Sequence, residues 1–462
     1  MLRRLAFTSL AAAMLVPSAS AAPVRGQSLM PGVVFSRQVE FTAHGPVVLN
    51  VVSAPRPQGL YSLRAALSNG AVQGRERLTD MEKEVSGQTT VVGVSGDYFD
   101  SRWGSPSSIV IRGGVLNAGT LGGRSAAGFD SAGKLHVDRV ALDGSWQGTG
   151  QYRPLTLNAP PSRSPVTLYT PAWGTTTPAE SGTTEVVLAP FPAAAPNVVL
   201  SAPVTQVLSG GGQAIPPNGA VIVARAGQAP ILSKEAPSGT RVNVRLILTP
   251  SWDGIRDAVG GGPVLVRNGR PVFRPGEAFT ASQLLTRTAR SAVGQTADGH
   301  ILFVTVDGGR PGYSLGLTNF ELALAMMRLG AVSATGLGSG APASVAFDGR
   351  LLSRPSSLAG ESQVADALFL QYDGVYAPAL PATVAAGKTQ ALTYKIVRPS
   401  TVKATLAGPG GTTALDDARR DPGTYHFDWT ATAAGRWTFS IDAVDDLGRE
   451  SSSDRSFTVG GA

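Results

Sequence analysis

Residues 290–344 decide the fold of this chain and read RSAVGQTADGHILFVTVDGGRPGYSLGLTNFELALAMMRLGAVSATGLGSGAPAS. Near the start of this stretch, Asp298-Gly299 separates two runs rich in β-branched and apolar residues, at 291–296 and 301–307. Asp-Gly between two such runs is a strong signal for a two-residue β-hairpin. The stretch therefore predicts two antiparallel strands joined at Asp298-Gly299.

A helix is predicted after this hairpin. The loop GGRPGYS leads to Thr318 and Glu321, which have the spacing of a capping box, in which each side chain accepts a hydrogen bond from an amide at the helix start. One helical face is apolar, and Gly330 ends the helix. The residues of that face are Leu322, Ala325, Met326 and Leu329. Asp307 and Arg310 fall on the loop between strand and helix, a usual place for polar site residues.

Three further motifs flank this stretch. They are GVSGDYF at 93–99, GGGPVLVRNGR at 260–270, and DGRLLSRP at 348–355, the last followed by Gly360-Glu361. In this order and with 290–344, they resemble the phosphodiester glycosidase family, which includes the enzyme that removes N-acetylglucosamine from a sugar phosphodiester on lysosomal enzymes. The resemblance covers residues 33–370 and implies the family's fold and a hydrolase activity on phosphodiester-linked sugars.

One loop departs from the family pattern. Where the family usually reads Asn-Leu-Asp-Gly-Gly-Gly-Ser, residues 336–342 read GLGSGAP, so the Asn, the Asp and the Ser are absent. Ser362 stands where the family often has Arg. The resemblance therefore supports the fold more strongly than catalysis. Gly338 and Pro342 keep a second function open, that of a non-catalytic protein that retains the fold.

The composition is that of a turn-rich, mostly β protein. The 462 residues suffice for two or three domains, and 42% are hydrophobic while only 15% are charged, with 56 Gly and 33 Pro. The absence of Cys excludes disulfides, thiolate metal sites and a cysteine nucleophile. The basic residues form no run, which disfavours nucleic acid as a partner. A formal charge of +7 favours contact with anionic envelope polymers or phosphorylated sugars, and a mildly basic solvated surface is the alternative.

Residues 1–21 have the pattern of a secretory signal peptide. Arg3 and Arg4 precede an apolar run at 5–16, and Ala19-Ser20-Ala21 forms a small-residue cleavage site before Ala22. Loss of the two arginines lowers the formal charge from +7 to +5 (7 − 2 = 5). No later stretch is long and apolar enough for a transmembrane helix. We therefore expect an exported protein of the periplasm, the cell surface or the extracellular space, with peripheral contact to the envelope.

The pattern of elements predicts an α+β fold with many strands and few helices. A helix is predicted at 76–85, and residues 104–196 are interpreted as a β-rich elaboration. Asn268-Gly269 predicts a second hairpin, between runs at 264–267 and 270–273. The other predicted strands lie at 33–42, 47–53, 134–142, 166–169, 198–208, 220–224 and 241–249. Together these elements define a β-rich phosphodiester glycosidase-like domain at 22–376.

After residue 376 the composition changes. A Pro- and Ala-rich hinge at 377–380 precedes short β runs separated by Gly, Asp and Pro turns, which is typical of a small β-sandwich. These runs lie at 390–396, 401–406, 423–429, 435–443 and 456–459. The motifs PGTYHFDW and GRWTFSIDAVDDLGRE resemble bacterial immunoglobulin-like domains of the flagellar-hook-capping type. We predict an immunoglobulin-like β-sandwich at 377–462 that serves adhesion, spacing or support.

A site for a glycosyl phosphodiester needs cations or amides for the phosphate, and carboxylates for proton transfer or nucleophilic attack. Arg290 and Arg310 are the predicted phosphate ligands, because a planar guanidinium can bind two phosphate oxygens at once. The alternative for each is an ion pair in a surface network.

Three carboxylates are predicted to be catalytic. Asp97 and Asp307 each follow an apolar run and become candidates for acid, base or nucleophile, although Asp at a strand end also commonly starts a turn. Glu321 matches the family's Glu, but its capping-box position also gives it a structural role. Both interpretations stay open for each residue.

Four more residues complete the predicted substrate-binding set. Gly261 and Gly262 can offer backbone amides to phosphate, and a tight turn before residue 264 explains them equally well. Tyr313 can stack on a sugar ring or pack at the rim of the core. Arg354 belongs to the closing motif and is placed by the resemblance in the same cleft.

No metal ion or cofactor is predicted. The four His residues are far apart and form no HExxH spacing, and Asp97 with Asp100 gives too few ligands for calcium. No GxSxG elbow with a His partner indicates an α/β-hydrolase. The leading hypothesis is an exported hydrolase of a sugar 1-phosphodiester in an envelope glycopolymer or exopolysaccharide. The alternative is a non-catalytic, sugar-phosphate-binding protein of the cell envelope.

Overall fold

The structure is a computed structural model that describes residues 26–119 and 122–460. The predicted signal peptide at 1–21 lies outside these residues. Within the described ranges, no helix is long and apolar enough to cross a membrane.

Ten strands and one helix precede residue 140. They are β1 (Gln27–Met30), β2 (Val33–Thr42), β3 (Gly45–Ala54), β4 (Tyr61–Leu67), β5 (Glu76–Arg77), α1 (Leu78–Ser86), β6 (Thr90–Ser95), β7 (Val110–Arg112), β8 (Val115–Ala118), β9 (Ser125–Asp130) and β10 (Leu135–Arg139). The strands predicted at 33–42 and 47–53 are confirmed, and they pair antiparallel along their length. The helix begins at Leu78 rather than at residue 76, because Glu76 and Arg77 pair as a strand with residues 363 and 364.

The next seven strands close into a barrel. They are β11 (Ala141–Gln147), β12 (Arg153–Leu157), β13 (Val166–Tyr169), β14 (Thr184–Leu188), β15 (Val199–Ser209), β16 (Ala220–Ala224) and β17 (Arg241–Thr249), with helix α2 (Ala229–Glu235) between the last two. The order around the barrel is β11-β12-β13-β16-β14-β15-β17. The closure was not predicted from the sequence, and the single strand expected at 134–142 is two strands, β10 and β11. The first and last strands are neighbours, with Ala141 opposite Thr249.

Ten strands and two helices lie between the barrel and residue 376. They are β18 (Ile255–Val259), β19 (Val264–Arg267), β20 (Arg270–Pro271), α3 (Ala281–Leu285), β21 (Arg290–Thr296), β22 (Ile301–Val306), α4 (Asn319–Arg328), β23 (Ala331–Ser339), β24 (Val345–Phe347), β25 (Arg350–Leu351), β26 (Gln363–Val364) and β27 (Asp366–Tyr372). The hairpin at Asp298-Gly299 is confirmed, since β21 and β22 pair antiparallel. The capping box is also confirmed, with both Thr318 and Glu321 hydrogen bonds present at the start of α4.

Two sheets and two helices form four layers around the predicted motifs. The first sheet has the order β1-β2-β3-β22-β21-β23-β19-β20, and the second has the order β25-β24-β6-β27-β4. Helix α4 covers the outer face of the first sheet, and α1 covers the outer face of the second. A third sheet, β10-β9-β18-β7-β8, contributes to the core between them. The predicted α+β class, rich in strands, is what the structure shows.

The continuous apolar runs of the sequence follow from this layering. In β22, Phe303 faces the core between the sheets, whereas Leu302 and Val304 face α4. In β6, Val92 and Val94 face the core between the sheets. Side chains alternate between the two faces of a strand, so a sheet buried on both faces needs apolar residues at every position.

The chain ends in seven strands that form two sheets. They are β28 (Thr383–Ala385), β29 (Thr389–Ile396), β30 (Ser400–Gly408), β31 (Gly411–Arg420), β32 (Gly423–Thr430), β33 (Gly435–Asp445) and β34 (Glu450–Gly460). Their orders are β28-β34-β33-β30-β31 and β29-β32, around one shared core. Lys395 joins this region to the rest of the chain, because its ammonium donates to Thr89 O (3.0 Å) and to the Asp348 carboxylate (3.2 Å).

Candidate functional site

The site lies at one edge of the two stacked sheets. β6 ends just before Asp97, and β22 ends just before Asp307. The two sheets are joined here by a hydrogen bond between the Ser95 and Ser291 hydroxyls (2.8 Å), close to both strand ends. Two of the predicted carboxylates therefore fall on the same side of the molecule.

The Asp97 carboxylate is held by backbone amides. One oxygen accepts from Tyr98 N (2.7 Å), and the other accepts from Ser108 N (2.6 Å). The side chain is only 4% exposed and lies against Gly260, where a Cβ would approach the second oxygen to 2.6 Å. Burial raises the pKa of Asp97 to about 6, although Arg124 and the two amides oppose the rise. A carboxyl group with this pKa can exchange a proton near neutral pH.

A second acidic side chain, Asp366, lies behind Asp97. Its Oδ1 accepts from the backbone N of Asp97 (2.7 Å), and the side chain is fully buried. Its Oδ2 has no hydrogen-bond partner among the described residues. Burial, and then the charge of Asp97, raises the pKa of Asp366 well above its ordinary value. Of this carboxyl pair, Asp366 is the one whose protonated form is favoured by burial and by the neighbouring charge.

Arg124 supplies the cation of this cluster. Its guanidinium lies 5.1 Å from the Tyr98 ring centre and 4.4 Å from that of Phe279, and the two rings contact each other. The Nε donates to Ala278 O (3.2 Å). In the described part of the chain, neither terminal nitrogen of Arg124 has a hydrogen-bond partner. Two terminal nitrogens thus remain available on a cation whose charge acts on Asp97, and such a pair of donors suits a phosphate group.

Asp307 forms a different kind of cluster. Its Oδ1 accepts from Asn50 Nδ2 (2.8 Å) and from Arg354 N (3.1 Å), while its Oδ2 accepts from the Tyr313 hydroxyl (2.8 Å). The Arg354 guanidinium lies 4.5 Å from the centre of the Tyr313 ring. Burial raises the pKa of Asp307, and the three donors oppose the rise. The structure thus brings three of the predicted residues, Asp307, Tyr313 and Arg354, together.

Arg290 does not have the role that was predicted for it. Its side chain is 1% exposed, and Nε donates to Leu317 O (2.6 Å). Nη1 donates to Asn319 Oδ1 (3.0 Å), and Nη2 donates to the carbonyls of Gln283 and Thr286 (both 2.9 Å). Because four protein acceptors engage this guanidinium, it ties the segment before β21 to the start of α4 and is not available to phosphate.

Arg310 is likewise engaged by the protein. Its Nε donates to Pro355 O (2.8 Å) and its Nη2 to Ser357 O (3.1 Å). The neighbouring loop is thereby fastened to residues 355–357. Both partners are carbonyl groups, so the alternative ion pair does not describe this side chain, and the predicted phosphate contact would have to use Nη1, which has no hydrogen-bond partner in the described residues.

Glu321 has the structural role that the sequence left open. Its carboxylate accepts from Thr318 N (2.9 Å) and pairs with Arg287 (2.5 Å). Burial acts to raise the pKa of Glu321, but these hydrogen bonds outweigh it and lower the pKa. A carboxylate stabilised in its ionised form is a poor proton donor, which argues against the predicted catalytic role.

The glycine-rich turn packs tightly against β23. The amide of Gly262 donates to Gly336 O (2.8 Å). It is therefore not available for the phosphate contact that was predicted. A Cβ at Gly261 would lie 2.6 Å from the same oxygen, and φ there is +155°. Close approach of two backbones explains these glycines.

The loop that departs from the family pattern passes directly over Asp97. Gly338 N donates to Gly96 O (2.6 Å). A Cβ at Gly338 would lie 3.0 Å from that oxygen and 3.3 Å from Asp97 O. An Asp side chain at this position would therefore require the backbone around Asp97 to shift. Within the described residues, no group of three or more His, Asp or Glu side chains is placed to hold a metal ion.

Comparison with known proteins agrees with the sequence motifs. Residues 197–371 match the family described as phosphodiester glycosidase, a range that includes Asp307 and the 336–342 loop but not Asp97. No curated protein matches the chain.

Solved structures share the fold. A hypothetical protein from Synechocystis is 25% identical with a TM-score of 0.64, over 77% of this chain and 64% of that one. The present chain thus spans less than two thirds of that protein. A protein from Burkholderia pseudomallei is 23% identical with a TM-score of 0.57, over 70% of this chain and 74% of that one.

A more distant structure is the catalytic domain of zebrafish N-acetylglucosamine-1-phosphodiester alpha-N-acetylglucosaminidase. It is 14% identical with a TM-score of 0.40, over 75% of this chain and 84% of that one, and is too distant to bear on activity. The sequence match supplies the assignment instead. The resemblance of this chain to the phosphodiester glycosidase family is confirmed over residues 197–371.

Proposed function

We propose that this protein is an exported hydrolase that cleaves a sugar 1-phosphodiester in an envelope glycopolymer or exopolysaccharide. The family match at 197–371 supports the reaction class. The observation that carries the proposal is the Asp97 carboxyl group, with a pKa of about 6, on which the charge of the Arg124 guanidinium acts. The two groups meet both needs of the reaction, a proton acceptor and a phosphate ligand.

In this mechanism Arg124 binds two non-bridging oxygens of the diester. The guanidinium stabilises the negative charge that grows on the phosphate as the bond to the anomeric carbon breaks. The phosphate leaves as a monoester, and its low basicity removes the need for a strong acid. Water attacks the anomeric carbon and gives its proton to the ionised Asp97 carboxylate. The products are a free sugar and a phosphate monoester, so atoms and charges balance.

The acidity of Asp97 sets the expected pH dependence. A base acts only in its ionised form, so kcat/KM should rise with pH through an inflection near the pKa of about 6. The raised pKa of Asp366 disfavours a second negative charge behind Asp97.

The test is release of free sugar from a panel of sugar 1-phosphodiesters by the purified mature protein. Asp97→Asn and Asp307→Ala are measured in parallel, with thermal unfolding as the check of folding. Turnover that rises through pH 6 and is lost in Asp97→Asn supports the proposal. Turnover that survives Asp97→Asn in a folded protein excludes Asp97 as the base.

A second candidate function is binding without catalysis. It is favoured by Gly338, since the Asp expected there is absent and β23 fills the space above Asp97. On this hypothesis Arg124 still holds a sugar phosphate. Calorimetry that detects micromolar binding while no sugar is released would favour this function over hydrolysis.

Export and the immunoglobulin-like nature of residues 377–462 are part of the same proposal. The motif pattern at 1–21 supports export, and the basic balance of the chain supports peripheral contact with an anionic envelope. The two-sheet arrangement after residue 376 supports a sandwich that holds the hydrolase domain near its polymer. Fractionation of cells that produce the tagged protein, with and without residues 1–21, tests the location.

A further inference from the structure

A pocket lies beside the candidate site, where the hairpin of residues 97–108 meets the barrel region. Its volume is about 300 Å³. Its lining includes Asp100, Arg102, Trp103, Ser162, Ala179 and Glu180. None of these residues takes part in the proposed hydrolysis. The first three come from the hairpin, and the last three come from the barrel region.

An indole ring is fixed in this pocket. Asp100 Oδ1 accepts from Arg102 N and from Trp103 N (both 2.9 Å), which holds the turn that carries the ring. The Trp103 ring packs against the fully buried ring of Trp173, with centres 5.7 Å apart. Trp103 itself remains partly exposed, and the Arg102 guanidinium lies 5.4 Å from its ring centre. A rigid, partly exposed aromatic side chain offers a flat apolar surface to a ligand at little entropic cost.

Polar acceptors surround the ring. Glu180 Oε2 is bound to Arg225, but Glu180 Oε1, Asp100 Oδ2 and the Ser162 hydroxyl have no hydrogen-bond partners in the described ranges. These acceptors suit hydroxyl donors. The charges of Asp100 and Glu180 are balanced by Arg102 in the lining and by Arg225, which pairs with Glu180, so no net charge attracts an anion and an uncharged ligand suits the pocket.

The pocket adjoins the candidate site. Asp97 and Asp100 belong to one hairpin, in which Ser108 N bonds to Asp97 and Asp100 N bonds to Ser105 O. Three residues span at most roughly 10 Å, so the two features lie within one ligand's reach. The charges of Asp97 and Asp100 both act on Arg163, which belongs to the turn Pro161–Arg163 at the pocket.

We propose that this pocket binds a second, uncharged sugar ring of a polymeric substrate. The apolar face of the ring packs on Trp103, and its hydroxyls donate to Asp100 and Glu180. This inference rests on the proposed function, because the position of the second ring is counted from a phosphodiester bound at Asp97 and Arg124. It deepens that function by specifying an oligosaccharide chain, in which the ring joined to the one that bears the phosphodiester is held by the hairpin and the barrel region together.

The test compares a short and a long substrate. Trp103→Ala removes the flat surface, and Ala179→Trp fills the pocket from an exposed position without removing a contact. Both variants should lower kcat/KM for an oligosaccharide phosphodiester by about tenfold and leave a monosaccharide phosphodiester unchanged. Equal loss on both substrates, or no loss on either, overturns the proposal. Phe41→Ala, at an aromatic residue that is 85% exposed on β2, is the control.

A binding measurement separates this inference from the proposed hydrolysis. Neutral oligosaccharides are titrated into the wild-type protein and into Ala179→Trp by calorimetry, with thermal unfolding to show that both are folded. Binding that is present in the wild type and lost in the variant supports the subsite even if no bond is cleaved. Absence of oligosaccharide binding by the wild type overturns the subsite even if a monosaccharide phosphodiester is hydrolysed.

Discussion

Asp97 and Asp307 stand in nearly the same sequence setting, yet their surroundings differ. Each follows a buried strand at the same edge of the stacked sheets. Asp97 has two amide donors, a second carboxyl group behind it and the charge of Arg124, whose terminal nitrogens have no partner in the described residues. Asp307 is bound by three donors, from Asn50, Tyr313 and Arg354, and fastens loops together. The comparison shows that the position at a strand end does not decide whether a carboxylate can act in catalysis. What decides it is whether neighbouring groups keep hydrogen-bonding atoms without partners.

The largest expected effect separates the two carboxylates directly. Asp97→Asn should lower kcat by about a hundred- to ten-thousandfold, because a positioned proton acceptor is lost. Asp307→Asn should lower kcat far less and should mainly lower the melting temperature. Steady-state sugar release and thermal unfolding of both variants measure this. Equal losses of kcat in two folded variants would break the comparison.

The next effect concerns the cations of the two clusters. Arg124→Ala should raise KM by about ten- to hundredfold, the range for one or two hydrogen bonds between charged groups. Arg310→Ala is the matched control, because its guanidinium bonds only to the carbonyls of Pro355 and Ser357. We expect the control to change thermal stability and leave KM near the wild-type value. A KM effect of the same size in Arg310→Ala would move the phosphate site to the Asp307 cluster.

The pH dependence of stability gives a further test, through Asp366, which lies behind Asp97. The pKa of Asp366 is raised in the folded protein, so the folded state keeps a proton that the unfolded state releases. Stability therefore falls as pH rises above the ordinary Asp pKa toward the raised folded value. Asp366→Asn keeps an acceptor for Asp97 N and removes this proton uptake, so it should lose less stability than the wild type between pH 5 and pH 9. Denaturant unfolding at both pH values measures the difference, and parallel profiles would contradict it.

The smallest effect is expected at the rim of the Asp307 cluster. Tyr313→Phe removes the hydroxyl that donates to Asp307 and should cost about 1 kcal/mol of unfolding free energy. The kcat should stay near that of the wild type, because the ring remains in place. Urea unfolding and sugar release are the measurements. A large loss of kcat without a loss of stability would assign the hydroxyl to the substrate.

Local signals in the sequence predicted the local structure. Asp298-Gly299 and the pair Thr318 and Glu321 specify a turn and a helix start through contacts only a few residues apart, and both are confirmed. The α+β class followed from the same kind of signal. The closed barrel did not, because closure depends on pairing Ala141 with Thr249, more than a hundred residues along the chain.

The site was harder to predict for the same reason. Asp366 lies 269 residues from Asp97, and no local pattern marks their contact. Arg124 sits in a Gly- and Ser-rich stretch and gains its neighbours, Tyr98 and Phe279, only through folding. Arg290 was predicted to bind phosphate because of its residue type and motif. Its acceptors lie around the end of α3 and the start of α4 and include the Asn319 side chain, which residue type does not reveal.

The junction of the barrel with the sheets has a consequence for how such proteins diverge. Ala141 and Thr249 are paired residues, so the segment that forms the barrel begins and ends at nearly the same place in the structure. Insertions and replacements are tolerated best where the chain ends are close together. We therefore expect related proteins to differ most in the barrel, while β9 and β18 stay paired beside it. The barrel region contributes half of the lining of the pocket at Trp103. A different barrel would therefore change which polymer is bound, and the proposed chemistry at Asp97 would stay the same.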